Sequence, residues 1–447
     1  MGRSVSLGLA LRYGTGYIGI AIVTQTMVLW LTYFYAPPPE SGLPQLLPVA
    51  WVGWAILLGR IVDGIADPVV GAWSDATRTP MGRRRPFLLY GAVPLAISFA
   101  LLWWAPTAFS EVGRMIYLIF MTSAFLFLFT VYTAPYLALL PELAVTLEGR
   151  VRLATWQGVA QIVGLGIAMI GSGLLVDRFG FGTMGLVLAG IALVTYLIPA
   201  LTVKEEVREH VPTPGMFESI KLTLQNRPFL YYVGSHVLFW FGFNAVVVAA
   251  PYLVTVAMGG TELDTSLALA AAFVVAIVSF PLVGRISTAR GLKFTMMASM
   301  AALVAALLLW GLVGRWPGGI SPYVQGMLVF VVAGFSIGGL FVVPNALIAE
   351  IVDYDEHLTG MRREAMFFGV QGLLVKIAMG LSTFAATQLL EIGGFSAERS
   401  AGVSWVGPLG ALFVALGMLV FAGYPESTVR AVRRTAAGPK GSRSARA

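Results

Sequence analysis

The sequence predicts an all-α polytopic membrane protein with about twelve transmembrane helices in two sets of six. Three observations carry this. Hydrophobic residues make up 57% of the chain, charged residues only 11%, and the mean hydropathy is +0.82. Apolar runs of about 20 residues, long enough to cross a bilayer as helices, recur from end to end. Basic residues collect in alternate connecting segments. The alternating pattern of a membrane barrel is absent.

The expected spans are residues 9–36, 46–76, 87–106, 114–142, 152–177 and 181–203, then 229–258, 265–288, 294–314, 321–350, 365–390 and 403–424. With the N-terminus inside, inner segments hold Arg78, Arg83, Arg84, Arg85, Arg150, Arg152, Arg285, Arg290, Arg362, Arg363 and the tail from Arg430. Outer segments hold only Arg114, Arg178, Arg315 and Arg399. That bias places both termini in the cytoplasm of an inner-membrane protein. It also accounts for the net charge of +7 without a nucleic-acid partner. The division that follows is a first bundle over 1–203, a cytoplasmic linker over 204–228, a second bundle over 229–424 and a disordered basic tail over 425–447. Met1–Ser6 leads straight into the first span, so no cleavable leader is expected.

Enzyme chemistry finds little support. There are no cysteines, and His210, His236 and His357 lie too far apart for a zinc signature. No nucleophile–base set or phosphate loop stands out, and no cofactor is implied.

In the first helix, Tyr17, Thr24 and Gln25 could line a cavity or bond neighbouring helices. The second helix carries the strongest signal, Arg60-Ile-Val-Asp63-Gly-Ile-Ala-Asp67-Pro68. Carboxylates at i and i+4 share one helix face, and intramembrane charge is costly enough to mark function. Two such groups need a cation between them or a proton. Oxygen ligands suit a small hard cation, and Pro68, which has no N–H, frees the carbonyl of Gly64 as a third oxygen. Arg60 shares the face, so an Arg60–Asp63 ion pair is the competing outcome. It would still leave Asp67 in need of a partner.

The inner end of this helix runs from Asp75 through Arg78 to Arg83-Arg84-Arg85. It reads as a topology anchor and as a charge network holding helix ends together. The fourth helix brings Thr130, Tyr132, Thr133 and Tyr136 around Pro135, which suits a kinked, cavity-lining segment. Arg150, Arg152 and Gln157 open the fifth. The 204–228 segment reads as a linker with a short amphipathic helix near 217–224.

The second half echoes the first: Pro68-Val-Val-Gly71 with Pro281-Leu-Val-Gly284, and Pro135…Glu142 with Pro344…Glu350. Duplicated bundles place a site between them at the midplane. Trp240 and Asn244 in the seventh helix and Phe341 and Asn345 in the tenth are placed there by position. His236 reads as a packing or rim residue. Asp353 and Asp355, expected on an inner loop, could pair with the basic loops as a gate. Lys376 lies too deep in the eleventh helix to snorkel, so it should face a cavity and pair with Asp63 or Asp67, competing with a cation for the same oxygens.

Together, Asp63-x-x-x-Asp67-Pro68, Ser74-Asp75…Gly82-Arg83-Arg84-Arg85-Pro86, Leu140-Pro141-Glu142-Leu143, Ile351-Val-Asp353-Tyr354-Asp355-Glu356 with Arg362-Arg363-Glu364, and Lys376 resemble the glycoside–pentoside–hexuronide:cation symporters of the major facilitator superfamily. The resemblance spans most of the chain. It implies a major facilitator fold, alternating access, and symport with Na+, H+ or Li+. It implies Asp63 and Asp67 as cation (Na+) ligands with Thr130 as helper, Lys376 at the coupled site, and solute contacts among Gln25, Tyr132, Thr133, Tyr136, Gln157, Trp240, Asn244, Phe341 and Asn345. Members that carry melibiose hold the sugar by aspartates that align with Ala21 and Thr133. Their flanking tryptophans align with Leu137 and Phe341, and a helix-five arginine with Gln157 or Gly158. The cation half of the pattern is kept and the galactoside half is lost. The expectation is therefore a monomeric symporter of another sugar or glycoside-like solute. The alternatives are a lysolipid or other amphipathic cargo, and a facilitator that does not concentrate its solute.

Overall fold

Side-chain caps and helix breakers set the elements of the computed structural model, which describes residues 5–144, 146–203, 223–360 and 364–429. Twelve α-helices are described: α1 Leu7–Tyr35, α2 Val49–Ala76, α3 Arg85–Leu102, α4 Glu111–Leu143, α5 Leu147–Gly166, α6 Ser172–Thr202, α7 Arg227–Tyr252, α8 Glu262–Arg290, α9 Leu292–Trp310, α10 Pro322–Thr359, α11 Glu364–Gly393 and α12 Ala401–Ala422. No β-strand occurs among the described residues, only an isolated bridge between Thr79 and Gly82. Six helices start at a Ser, Thr or Asn whose side chain accepts an otherwise orphaned backbone N–H: Ser6, Ser110, Thr146, Asn226, Thr261 and Ser321.

Eleven apolar stretches among the described residues are long enough to cross a membrane. One of them, Glu148–Thr202, is double. α5 runs through a π segment, Ile167–Gly171, into α6, and α6 breaks at Gly180 with φ 76° and ψ 172°. Only glycine adopts that backbone at low cost. The break separates the fifth and sixth crossings and brings the total to twelve.

Two boundaries differ from the sequence expectation. α10 continues nine residues past 350, so Asp353 and Asp355 are helical rather than in a loop. No Gly or Pro interrupts 351–359, and the helix stops at Gly360 in the left-handed region, φ 68°. The tail, expected to be disordered from 425, stays packed to Val429, which is buried, while the Lys293 N–H donates to Glu426. The amphipathic helix expected near 217–224 falls almost wholly outside the described residues, as do 204–222 and 430–447.

Helices α1–α6 pack among themselves, with α1 on α5 and α6, α2 on α4, and α3 on α4 and α6. Helices α7–α12 do likewise, with α7 on α11 and α12, α8 on α10, and α9 on α10 and α12. The most extensive contact between the sets is α2 against α11, with smaller ones between α1 and α7 and between α6 and α8. Large apolar residues such as Ile65, Tyr90 and Val278 are left exposed on the outside of the helices.

Candidate functional site

The site sits where α2 meets α11. The two helices run antiparallel and close like a seam. At one end the Ala50 N–H donates to Glu391, and Gln388 Nε2 donates to the Ala50 carbonyl at 3.3 Å. Next come Gly53 against Thr387 and Trp54 against Phe384, with ring centroids 4.6 Å apart. The approach at Gly53 is so close that a Cβ there would lie 1.9 Å from Thr387 Oγ1. Arg60 then packs over Gly380.

One turn further lies the charged cluster. The i,i+4 spacing puts Asp63 and Asp67 on the face turned to α11. Lys376 Nζ donates to Asp63 Oδ1 at 3.1 Å and to Asp67 Oδ1 and Oδ2 at 2.9 and 2.8 Å. Arg60 Nη1 reaches Asp63 Oδ2 at 3.4 Å. The Thr130 hydroxyl on α4 lies 2.8 Å from Asp63 Oδ1 and 3.1 Å from Asp67 Oδ1. Its single proton serves one carboxylate at a time. Asp63 is fully buried, while Asp67 and Lys376 are 33% and 25% exposed. Two carboxylates thus face two side-chain cations. Both partners proposed for Asp63, Arg60 and Lys376, are present together, and Lys376 reaches from one helix set to the other.

Beyond the cluster the seam opens. Gly71 on α2 and Gly372 and Gly369 on α11 continue the same stripes, and a Cβ on any of them would meet nothing within 4 Å. Contacts between the sets lie at the opposite end. There Tyr33 OH donates to Glu262 at 2.9 Å, Tyr252 OH to the Ala36 carbonyl at 2.7 Å, and the Ala397 N–H to Glu40.

At the open end several arginines bond to groups of the first half. Arg84 pairs with Asp75 and donates to Ser74 Oγ, and Arg83 reaches Glu142 Oε1 at 3.0 Å. Arg85 donates to the carbonyls of Ala200 and Leu201. Arg150 caps the Ala144 carbonyl, and Arg152 bonds the Val5 carbonyl and lies 3.5 Å from Glu148. Asp355 is buried and accepts from Asn226, and Asp353 is exposed. The bonds named here lie on each residue's own side of the seam. Arg362 and Arg363 lie outside the described residues. Glu142, which takes both Arg83 and Arg84, was quoted only for its motif; an acid closing a helix at a basic end was the signal for its role.

The expected cavity residues divide. Tyr132 and Tyr136 do not line a cavity: both are fully buried, with hydroxyls given to the carbonyls of Tyr196 and Tyr13. Thr133 back-bonds to the Phe129 carbonyl. Asn244 is likewise buried, tying α7 to α11 through the Met379 carbonyl and Thr383. Helix position alone placed these residues, and packing decided otherwise. Gln25 and Gln157 are partly buried, and Asn345 is exposed with Nδ2 on the Phe341 carbonyl. Phe341 and Trp240 are partly buried and face each other, centroids 6.0 Å apart. Buried His236 accepts from Trp240 Nε1 at 2.9 Å and lies 3.0 Å from Gln371 Nε2. This makes it a fixed part of the wall beside Trp240. Nothing in the sequence marks Gln371, a neutral amide in an apolar helix.

Among the described residues no group of three His, Cys, Asp or Glu could hold a metal ion. The side-chain oxygens gathered at the cluster are those of Asp63, Asp67 and Thr130.

Comparison with known proteins bears on this arrangement. Residues 12–425 match the family described as MFS/sugar transport protein. The chain is similar to a glucuronide carrier protein homolog of Escherichia coli (strain K12), 25% identical over 89% of this chain and 86% of that one. It is also similar to the isoprimeverose transporter of Lactiplantibacillus pentosus, 25% identical over 79% of this chain and 75% of that one. Its fold is that of the nucleoside transporter NupG, with a TM-score of 0.67 over 94% of this chain and 100% of that one at 12% identity.

Proposed function

The chain belongs to the MFS/sugar transport protein family, in its glycoside–pentoside–hexuronide:cation symporter branch, and from that premise we propose that it couples the movement of a cation to that of a sugar or glycoside-like solute. It is a multi-pass membrane transporter rather than an enzyme. The names of its relatives, a glucuronide carrier homolog and an isoprimeverose transporter, favour a glycosidic solute.

The observation that carries the reading is the reach of Lys376 across the seam to Asp63 and Asp67. With Arg60, it leaves the cluster formally neutral. A small hard cation that takes the carboxylate oxygens, helped by Thr130, must displace the ammonium. Displacement frees α11 from α2, so cation binding is felt by the helix pair that holds the two sets together. The solute settles between the sets, beside Trp240 and Phe341, with Gln25, Gln157 and Asn345 as further contacts. Sodium is the proposed coupling ion.

With the arginine loops in the cytoplasm, the open end of the seam faces inward. Asp75, Arg83, Arg84, Arg85, Arg150, Arg152, Asp353 and Asp355 then belong to the cytoplasmic gate, which closes when the halves rock together. The carrier works as a monomer in the inner membrane.

The test is thermal stability of the purified protein with and without sodium across glycosides, hexuronides, pentosides and lysolipids. A ligand at about 100 times its dissociation constant adds about 2.7 kcal/mol. A glycoside that stabilises more strongly with sodium supports the reading. Stabilisation by lysolipids alone removes the sugar. Acid that replaces sodium makes the carboxylates proton sites.

A further inference from the structure

On the flank of the first half, away from the charged cluster, α2, α3 and α4 enclose an apolar groove of about 350 Å³. Trp73, Phe87, Tyr90, Gly91 and Phe127 are among its walls. Trp73 and Phe87 meet edge to face with centroids 4.9 Å apart. Trp73 is 55% and Tyr90 70% exposed, so the groove opens outward from the bundle. In a membrane protein such a surface faces lipid.

One end of the groove lies at the C-terminus of α2, next to Arg78. Thr77, the C-cap of α2, lines it. Arg78 Nη1 folds back onto the carbonyls of Asp75 at 2.7 Å and Thr77 at 3.1 Å, which anchors a guanidinium beside the lining residue. The neighbouring carboxylate, Asp75, is engaged by Arg84. Among the described residues Arg78 therefore has carbonyl partners and no carboxylate, and the rest of its planar donor fork is left for an anion. Guanidinium groups suit phosphate oxygens, and tryptophan and tyrosine concentrate at the headgroup level of bilayers.

We propose that this groove is a lipid site that holds one acyl chain of an anionic phospholipid, with its phosphate on Arg78. The hydrocarbon wall and the guanidinium of Arg78, bonded to the lining residue Thr77, select the two parts of the same molecule. This inference uses the membrane location but none of the solute or cation assignments, so it stands or falls apart from them.

The experiment is native mass spectrometry of the full chain in neutral detergent, exposed to phosphatidylglycerol or phosphatidylcholine with matched palmitoyl and oleoyl chains. One basic side chain near anionic lipid is worth about fivefold in binding. Phosphatidylglycerol should therefore be retained about fivefold more than phosphatidylcholine, and Arg78→Gln should erase the difference. Gly91→Leu should reduce retention of both lipids by filling the groove. A Cβ at Gly91 meets its nearest neighbour, Val131, at an ordinary 3.5 Å. If Gly91→Leu does not purify folded, Tyr90→Ala, at a lipid-facing position, removes a wall and should also lower retention. Equal retention of the two lipids overturns the proposal. So does a preference that survives Arg78→Gln while Arg290→Gln, a control at the exposed Arg290–Phe294 pair on the second half, abolishes it.

Discussion

Lys376 and Asp67 lie on different halves of the chain, and the Lys376 ammonium contacts both oxygens of the Asp67 carboxylate, at 2.9 and 2.8 Å. A single proton-rich group thus holds a position that a transported cation would contest.

Asp67→Asn should leave a folded protein that has lost sodium-dependent stabilisation and uptake, because Lys376 keeps Asp63 while a cation loses a charged ligand. Uptake into proteoliposomes with and without a sodium gradient measures this. Sodium dependence equal to wild type would remove Asp67 from the cation site.

Asp63→Asn should be the more damaging change to stability. Asp63 is fully buried between Arg60 and Lys376, whereas Asp67 is one-third exposed. Removing one partner of a buried pair costs about 3–5 kcal/mol, and the loss at the exposed Asp67 should be well below that. Comparing the thermal midpoints of the two variants gives the order.

Lys376→Gln should strengthen sodium binding while uncoupling transport. The variant changes the formal charge of the cluster of Arg60, Asp63, Asp67 and Lys376 from zero to −1, so a cation meets the carboxylates without competition. A sodium titration of thermal stability should reach half-effect at lower concentration than in wild type. An unchanged or raised half-effect concentration would mean that the ammonium does not compete.

Gly53→Ala should disfavour the conformation described. Its Cβ would overlap Thr387 Oγ1 at 1.9 Å and force α2 and α11 apart at their tightly closed end. The chain has no cysteine, so a single Gly372→Cys reports on the open end. Maleimide labelling there should slow when Gly53→Ala is added. Faster or unchanged labelling would contradict a coupled opening and closing of the two ends.

Tyr136→Phe should act on stability alone. Tyr136 OH donates to the Tyr13 carbonyl at 2.7 Å, and Tyr13 OH returns a bond to the Tyr136 carbonyl, with the rings stacked 4.6 Å apart. Losing one such buried bond costs about 1 kcal/mol. The thermal midpoint should fall, while the shift on adding sodium stays as in wild type.

Much of this architecture was legible in the chain itself. Intramembrane charge is so costly that Asp63, Asp67 and Lys376 announce themselves wherever the fold places them. The i,i+4 spacing already put both carboxylates on one face. The neutral residues were harder to place. A tyrosine, threonine or asparagine in an apolar helix is equally at home against a cavity or against a backbone carbonyl, and only its neighbours decide. Tyr132, Tyr136 and Asn244 went to packing, while Trp240 and Phe341 came to face each other.

The sequence by itself determined the helices, their approximate ends, the family and the three charged residues of the central cluster, because those rest on hydropathy, local spacing and the cost of burying charge. The tertiary structure decided which groups meet. It brought Lys376 to Asp63 and Asp67 across more than 300 positions, gave Asp63 a second partner in Arg60, and closed the α2–α11 seam at Gly53 while leaving Gly71 and Gly372 open. Such relations depend on the distances between helices, and helix separation is set by the packing of side chains far apart in the chain.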